Sequence, residues 1–271
     1  MQNLGDQWRS GDAWLRVRDQ GVGAPIVFIH GWTLDLDSWE PQVAAFAGSH
    51  RVVRYDRRGF GLSEGLPGRA ADAEDLDRLV DQLGAGAVML VGVSQGARVA
   101  LAYALGHPER VSALVLDGPP DEVGDPKNTG DEDFSIVEYR RLVAEQGVDA
   151  FRRAWRGHPL MRIHSTDAEA LGLVARMLDR YPARDLVGAA ELPPPPAGIE
   201  ALARFPRPVL VVNGEFDTTI RRRAGEALAA ALPFAKRVVV PGAGHLPNLD
   251  APRAYNDALR AFIHSQSRAA A

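Results

Sequence analysis

Gly92-Val93-Ser94-Gln95-Gly96 places a hydroxyl between two glycines, each two residues from it. The apolar run Ala87-Val88-Met89-Leu90-Val91-Gly92-Val93 leads into it, and a helical pattern, Gln95–Leu105, leaves it. A side chain held at such a strand-to-helix turn sits on strained backbone, and glycines on both sides let strand and helix close around it. The helix start turns amide dipoles toward developing negative charge. The pattern points to Ser94 as a nucleophile.

A serine hydroxyl attacks efficiently only when a base takes its proton. Of the seven histidines, His245 is the base candidate. It lies in Pro241-Gly242-Ala243-Gly244-His245, a glycine-rich loop directly after an apolar run, which carries a side chain over the carboxyl edge of a sheet. His50, His107 and His264 read as surface or helix-end positions. His30 ends a strand before Gly31 and reads as shaping the loop that follows. The base in turn needs an acid to hold its tautomer and stabilise the imidazolium. Asp217, in Asn213-Gly214-Glu215-Phe216-Asp217, falls on the same sheet edge; Glu215 and Asp117 are its rivals. The chain order is then Ser94, Asp217, His245.

An attacked carbonyl develops negative charge on its oxygen, so preorganised donors are needed, each worth about 3 kcal/mol of barrier. The backbone N–H groups of Gln95 and Trp32 are the candidates. Side chains read as lining a substrate pocket are His30, Trp32, Arg98, Trp155, His158 and Leu246, with His164 a further possibility.

These residues need a scaffold, and the rest of the chain supplies one. Short β-branched runs recur at Pro25–His30, Arg51–Tyr55, Val111–Leu116, Val209–Val212 and Arg237–Val240, continuous rather than alternating, as in parallel strands covered on both faces. Helical patterns at Ala71–Leu83, Ile220–Leu232 and Pro252–Ile263 alternate with them, giving an α/β, doubly wound, mostly parallel sheet. Ala13–Arg18 alternates like an antiparallel edge hairpin. Between residues 119 and 204 the strand rhythm stops. Helical patterns at Ile136–Gln146, Val148–Arg156 and Ala168–Arg180 and the extended Pro193–Pro196 run read as a helical cap inserted into a core made of residues 1–118 and 205–271.

Bulk properties narrow the function classes. The 271 residues are 46% hydrophobic and 24% charged with a net charge of −4, which gives no electrostatic footprint for nucleic acid or an anionic membrane. Arg221-Arg222-Arg223 reads as a solvated helix start. With no cysteine there is no disulfide, thiol nucleophile or thiolate metal site. The first residues show no signal peptide, and no apolar stretch approaches the roughly 20 residues of a membrane span. A cytoplasmic protein acting on a small-molecule substrate is expected, without metal or other cofactor and with no indication of its oligomeric state.

The motifs together resemble the α/β-hydrolase superfamily over nearly the whole chain. The resemblance rests on His30-Gly31-Trp32, on Tyr55-Asp56-Arg57-Arg58-Gly59-Phe60-Gly61-Leu62-Ser63, on the Gly92–Gly96 turn, on His107-Pro108-Glu109-Arg110-Val111, on Gly214-Glu215-Phe216-Asp217 and on Gly244-His245. Within it the chain looks most like the enol-lactonases, carboxylesterases and cofactor-free haloperoxidase-like esterases. Serine rather than aspartate at the turn separates it from the dehalogenases and epoxide hydrolases of that superfamily. The resemblance implies hydrolysis of a carboxylic ester or lactone through an acyl-enzyme. It leaves two other readings. One is carbon–carbon bond hydrolysis, with Arg152, Arg153, Arg156 or Arg162 recognising a carboxylate. The other is a slow-turnover ligand sensor. Arg98 departs from the small residue that relatives often carry there, and is read either as a salt-bridge partner or as a group that narrows or charges the site.

Overall fold

A computed structural model describes residues 4–123, 134–187 and 197–269. Eight strands form one sheet: β1 (Gln7–Ser10), β2 (Ala13–Gln20), β3 (Pro25–Ile29), β4 (Arg51–Tyr55), β5 (Val88–Val93), β6 (Val111–Asp117), β7 (Val209–Gly214) and β8 (Ala235–Val240), in the order β1-β2-β4-β3-β5-β6-β7-β8. The β1–β2 and β2–β4 pairs are antiparallel and the rest parallel, so the predicted edge hairpin and parallel core are both present. The helices are α1 (Glu40–Phe46), α2 (Arg69–Leu83), α3 (Gln95–Gly106), α4 (Ile136–Gln146), α5 (Val148–Arg156), α6 (Ala168–Arg180), α7 (Ile199–Leu202), α8 (Thr219–Ala231), α9 (Pro247–Asp250) and α10 (Pro252–Ala269). None of the described helices is long and apolar enough to cross a membrane.

The continuous apolar runs are explained by the two faces of the sheet. Along β3, Ile26 and Phe28 enter one hydrophobic cluster and Val27 and Ile29 the other. The same alternation holds in β5, β6 and β7. The first cluster also takes in α1, α10 and α4–α6 between β6 and β7; the second takes in α2, α3, α7 and α8. Burial on both faces removes the polar half of the usual strand pattern.

Between β6 and β7 the described residues form helices and turns but no strand. Val143, Phe151, Trp155, Met177 and Leu178 of this insertion belong to the first cluster, so it packs on the sheet's own core. The proline run at residues 193–196 and most of the polar stretch between Asp121 and Asp133 lie outside the described residues. One sequence reading is corrected. Arg221 is not a solvated helix start: it is buried, with Nη1 directed at the Gly118 carbonyl, while Arg222 and Arg223 are exposed.

Candidate active site

The turn between β5 and α3 imposes its own chemistry on Ser94. Ser94 has φ 53° and ψ −116°, a left-handed backbone that L-residues rarely adopt. Glycine is required on both sides. A Cβ on Gly96 would press into the Ile29 carbonyl and lie 2.6 Å from the His30 oxygen, while one on Gly92 would collide with the Gly96 carbonyl. The strain therefore persists because strand β5, strand β3 and helix α3 are locked at backbone contact. Gly96→Ala is expected to cost roughly 3 kcal/mol of stability, at the upper end of overpacking penalties, measured by urea unfolding. An unchanged midpoint would mean that α3 does not pack this closely.

His245 and Asp217 meet on the adjoining edge. Strand β7 ends at Gly214 and delivers Asp217; the loop after β8 delivers His245. Asp217 Oδ1 accepts from His245 Nδ1 at 2.9 Å and from the Thr218 amide at 2.8 Å. A carboxylate oxygen only accepts here, so Nδ1 carries the proton and Nε2 has the lone pair. His245 Nε2 is buried and has no hydrogen-bond partner among the described residues. Ser94 is tied to the same place through the end of β6: its amide donates to the Asp117 carbonyl at 2.7 Å, and the next residue, Gly118, lies against the imidazole. Gly118 has φ +50°, and a Cβ there would come within 2.7 Å of His245 Cε1. Only glycine leaves room for the ring.

The two rival acids have other surroundings. Glu215 is exposed, and its Oε2 accepts from the Gly242 amide at 2.8 Å, bracing the base loop from outside. Asp117 is completely buried and neither carboxyl oxygen has a partner among the described residues. Burial, together with the Asp217 charge beside it, pushes its pKa well above the usual carboxylate range.

The loop after β3 approaches Ser94 from the opposite side. A Cβ on Gly31 would lie 3.1 Å from the Val93 oxygen and 3.4 Å from Ser94 Cβ, so this backbone borders Ser94 directly. Gln95 opens α3, where first-turn amides have no intrahelical acceptor. Thr33, just after Trp32, is a second non-glycine residue with positive φ, at 60°. The Trp32 ring is buried among Phe134, Phe151, Trp155 and Tyr181, and its indole N–H donates to Asp185 at 2.5 Å. Tyr181 hydroxyl binds the other Asp185 oxygen, and Arg180 on α6 pairs with Asp35 and Asp37 of the same loop. The insertion thus grips the segment that carries the Trp32 amide.

The pocket candidates separate. Trp155 is buried, at 4.7 Å from Trp32 between centroids, and donates to Thr33 Oγ1. His158 stacks on Trp155 and its Nδ1 accepts from the Leu160 amide. Leu246 is buried beside His245. Two expectations need correction. His30 lines no pocket: it is fully buried, with Nδ1–H donating to the Gly31 carbonyl at 2.7 Å and Nε2 accepting from the Arg57 amide at 2.8 Å. Burial and the Arg57 charge hold its pKa down near 3, so the ring stays neutral. Arg98 does not charge the site; its Nε donates to the buried carboxyl of Glu122.

Asp250 escaped sequence reasoning. One oxygen accepts from the His164 and Ser165 amides at 2.8 and 2.6 Å, the other from Gly244 at 2.7 Å. It ties the base loop to the insertion, and no local motif marks it.

With this geometry in hand, comparison decides the family. The α/β-hydrolase fold model matches residues 24–252. The chain belongs to the α/β-hydrolase family. It is 30% identical to 2-(acetamidomethylene)succinate hydrolase of Mesorhizobium japonicum, over 92% of this chain and 91% of that one. It is 28% identical to a putative 2-succinyl-6-hydroxy-2,4-cyclohexadiene-1-carboxylate synthase of Bacillus subtilis, over 92% and 94%. Among solved structures it resembles a thermophilic esterase from Thermogutta terrifontis, with a TM-score of 0.78 and 26% identity over 98% and 99% of the two chains. Esterases and other hydrolases are among its relatives.

Proposed function

We propose that this α/β-hydrolase cleaves a carboxylic ester or lactone of a small molecule through Ser94, His245 and Asp217. The observation that carries the reading is the His245–Asp217 pair: Nδ1 is held at 2.9 Å, which leaves the buried Nε2, unpartnered among the described residues, as the basic nitrogen, on the sheet edge where Ser94 sits on strained backbone. His245 Nε2 takes the Ser94 proton as Oγ attacks the carbonyl carbon. The Trp32 and Gln95 amides hold the resulting oxyanion. His245 then gives its proton to the leaving oxygen, and the acyl-enzyme forms as the ester C–O bond breaks. Water then attacks the acyl carbon and loses its proton to Nε2; the bond to Ser94 Oγ breaks as Nε2 returns that proton to Oγ, and the carboxylic acid leaves. Asp217 remains a carboxylate and stabilises the imidazolium.

The helices between β6 and β7 act in this reading as a cap that shapes the acyl and leaving-group pockets. Carbon–carbon hydrolysis loses part of its support, because the arginines invoked for it are engaged or turned outward. Arg152 pairs with Asp149 and the Tyr181 carbonyl, Arg156 pairs with Asp179, and Arg153 and Arg162 are exposed. The test is a panel of short-chain aryl esters, γ- and δ-lactones and vinylogous diketo acids, with Ser94→Ala as blank. Turnover of esters or lactones above the diketo acids is expected. Preference for the diketo acids would replace this reading with the carbon–carbon one, and sub-stoichiometric turnover of every compound would point to a sensor.

A further inference from the structure

The two amides assigned to the oxyanion come from different elements: Trp32 from the loop after β3, Gln95 from the start of α3. Their spacing must be held to a fraction of an ångström for catalysis, since misplacement by about 1 Å can cost 10²-fold. One residue is bonded toward both. Arg57, buried in the turn after β4, donates its backbone N–H to His30 Nε2 at 2.8 Å. His30 passes the constraint on, donating from Nδ1 to the Gly31 carbonyl at 2.7 Å, the carbonyl of the same peptide group that carries the Trp32 N–H. On the other side, Arg57 Nη1 donates to Gln95 Oε1 at 2.7 Å. A guanidinium offers only donors, so Gln95 must present its oxygen to it.

The other two nitrogens of that guanidinium are bonded as well. Nε and Nη2 form a fork on Asp72 of α2, at 2.9 and 2.6 Å. The Phe60 ring closes its face, with Cζ 4.8 Å from the ring centroid, and Phe60 also contacts the His30 ring edge-on. A bidentate, ring-covered guanidinium is among the most rigid anchors a side chain can make.

We propose that Arg57 is the positioning residue of the oxyanion hole, setting the distance between the Gln95 and Trp32 amides by bonding to both supports. Arg57 does not touch the substrate; it acts through His30 and Gln95. The inference rests on the serine-hydrolase reading above. It also explains why a neutral His30 is required there: a protonated ring could not accept from the Arg57 amide.

The experiment compares wild type, Arg57→Lys and Gln95→Met, with an aryl acetate as substrate and phenylboronic acid as the tetrahedral-adduct probe. Lysine keeps a charge beside Asp72 but cannot span the fork and Gln95 together. Methionine leaves the buried Arg57–Asp72 pair intact, so a folding failure of the first variant does not remove the test. Both are expected to lower kcat, Arg57→Lys by roughly 10²-fold, with KM nearly unchanged and phenylboronic acid affinity weakened in parallel. The double variant is expected to be no worse than Arg57→Lys, because both substitutions break one link. Unchanged kcat in Gln95→Met, losses in KM alone, or additive losses in the double variant would overturn the inference while leaving the hydrolase reading in place. Failure of wild type to form any boronate adduct would overturn both.

Discussion

Ser94→Ala is expected to lower kcat on the best ester or lactone by roughly 10⁶-fold, while KM and Tm stay near those of wild type. Alanine keeps the Cβ and so keeps the backbone contacts of the turn; φ 53° is as costly for alanine as for serine. What disappears is the only hydroxyl at the turn, and with it the covalent intermediate. Residual hydrolysis should come from the oxyanion donors and substrate positioning, which survive the change. The pre-steady-state burst of leaving group should vanish. Activity within tenfold of wild type would mean that a water or another side chain attacks.

Asp217→Asn is expected to lower kcat by roughly 10⁴-fold with little effect on KM. The asparagine amide would hold the imidazole in place but offer it a donor, favouring the tautomer with the proton on Nε2, where the base needs its lone pair. Asp117→Asn provides the contrast. Asp117 is as buried as Asp217 but has no bond to His245 and no partner for either oxygen among the described residues. Its pKa in the folded chain lies well above its ordinary value, so the folded state binds a proton that the unfolded chain releases above about pH 4. Folding then takes up a proton, and the contribution of Asp117 to stability falls as pH rises, by about 1.4 kcal/mol per unit until the folded pKa is reached. Asp117→Asn removes that slope. Its stability advantage over wild type should therefore grow from near pH 4 toward neutrality, followed by Tm across pH, with most activity retained. Parallel Tm curves, or an activity loss matching that of Asp217→Asn, would move the acid role to the end of β6.

The scaffold was readable because its signals are local. Runs such as Val88–Val93 and helices such as Ile136–Gln146 and Ala168–Arg180 are long enough to show their period, and the structure places them within a residue or two. Helix α1 was missed; seven residues starting beside Pro41 carry too little periodicity. The Gly92–Gly96 turn and the loops that carry Asp217 and His245 were also local, each a short motif at a strand end. What was not legible is the bonding between distant segments. Arg57 lies inside a motif recognised for its glycines, yet its bond to Gln95 spans 38 positions. Asp250 reaches 86 residues back to the His164 amide. Arg98 shows the same limit: its position allowed either a salt bridge or a site charge, and only its pairing with Glu122, 24 residues away, decides for the salt bridge. His30, read both as shaping the loop after β3 and as a pocket residue, does not line the pocket: its buried ring bonds the Gly31 carbonyl and the Arg57 amide, the second a partner 27 residues away.

The central claim is that Ser94 forms a covalent bond during turnover. Treating the protein with a fluorophosphonate and mapping the adduct by peptide mass spectrometry tests it directly. One adduct is expected, on the peptide containing Gly92-Val93-Ser94-Gln95-Gly96, formed in step with loss of activity and absent from Ser94→Ala. Labelling at another residue with the same loss of activity would contradict the account, as would complete loss of activity with Ser94 unmodified.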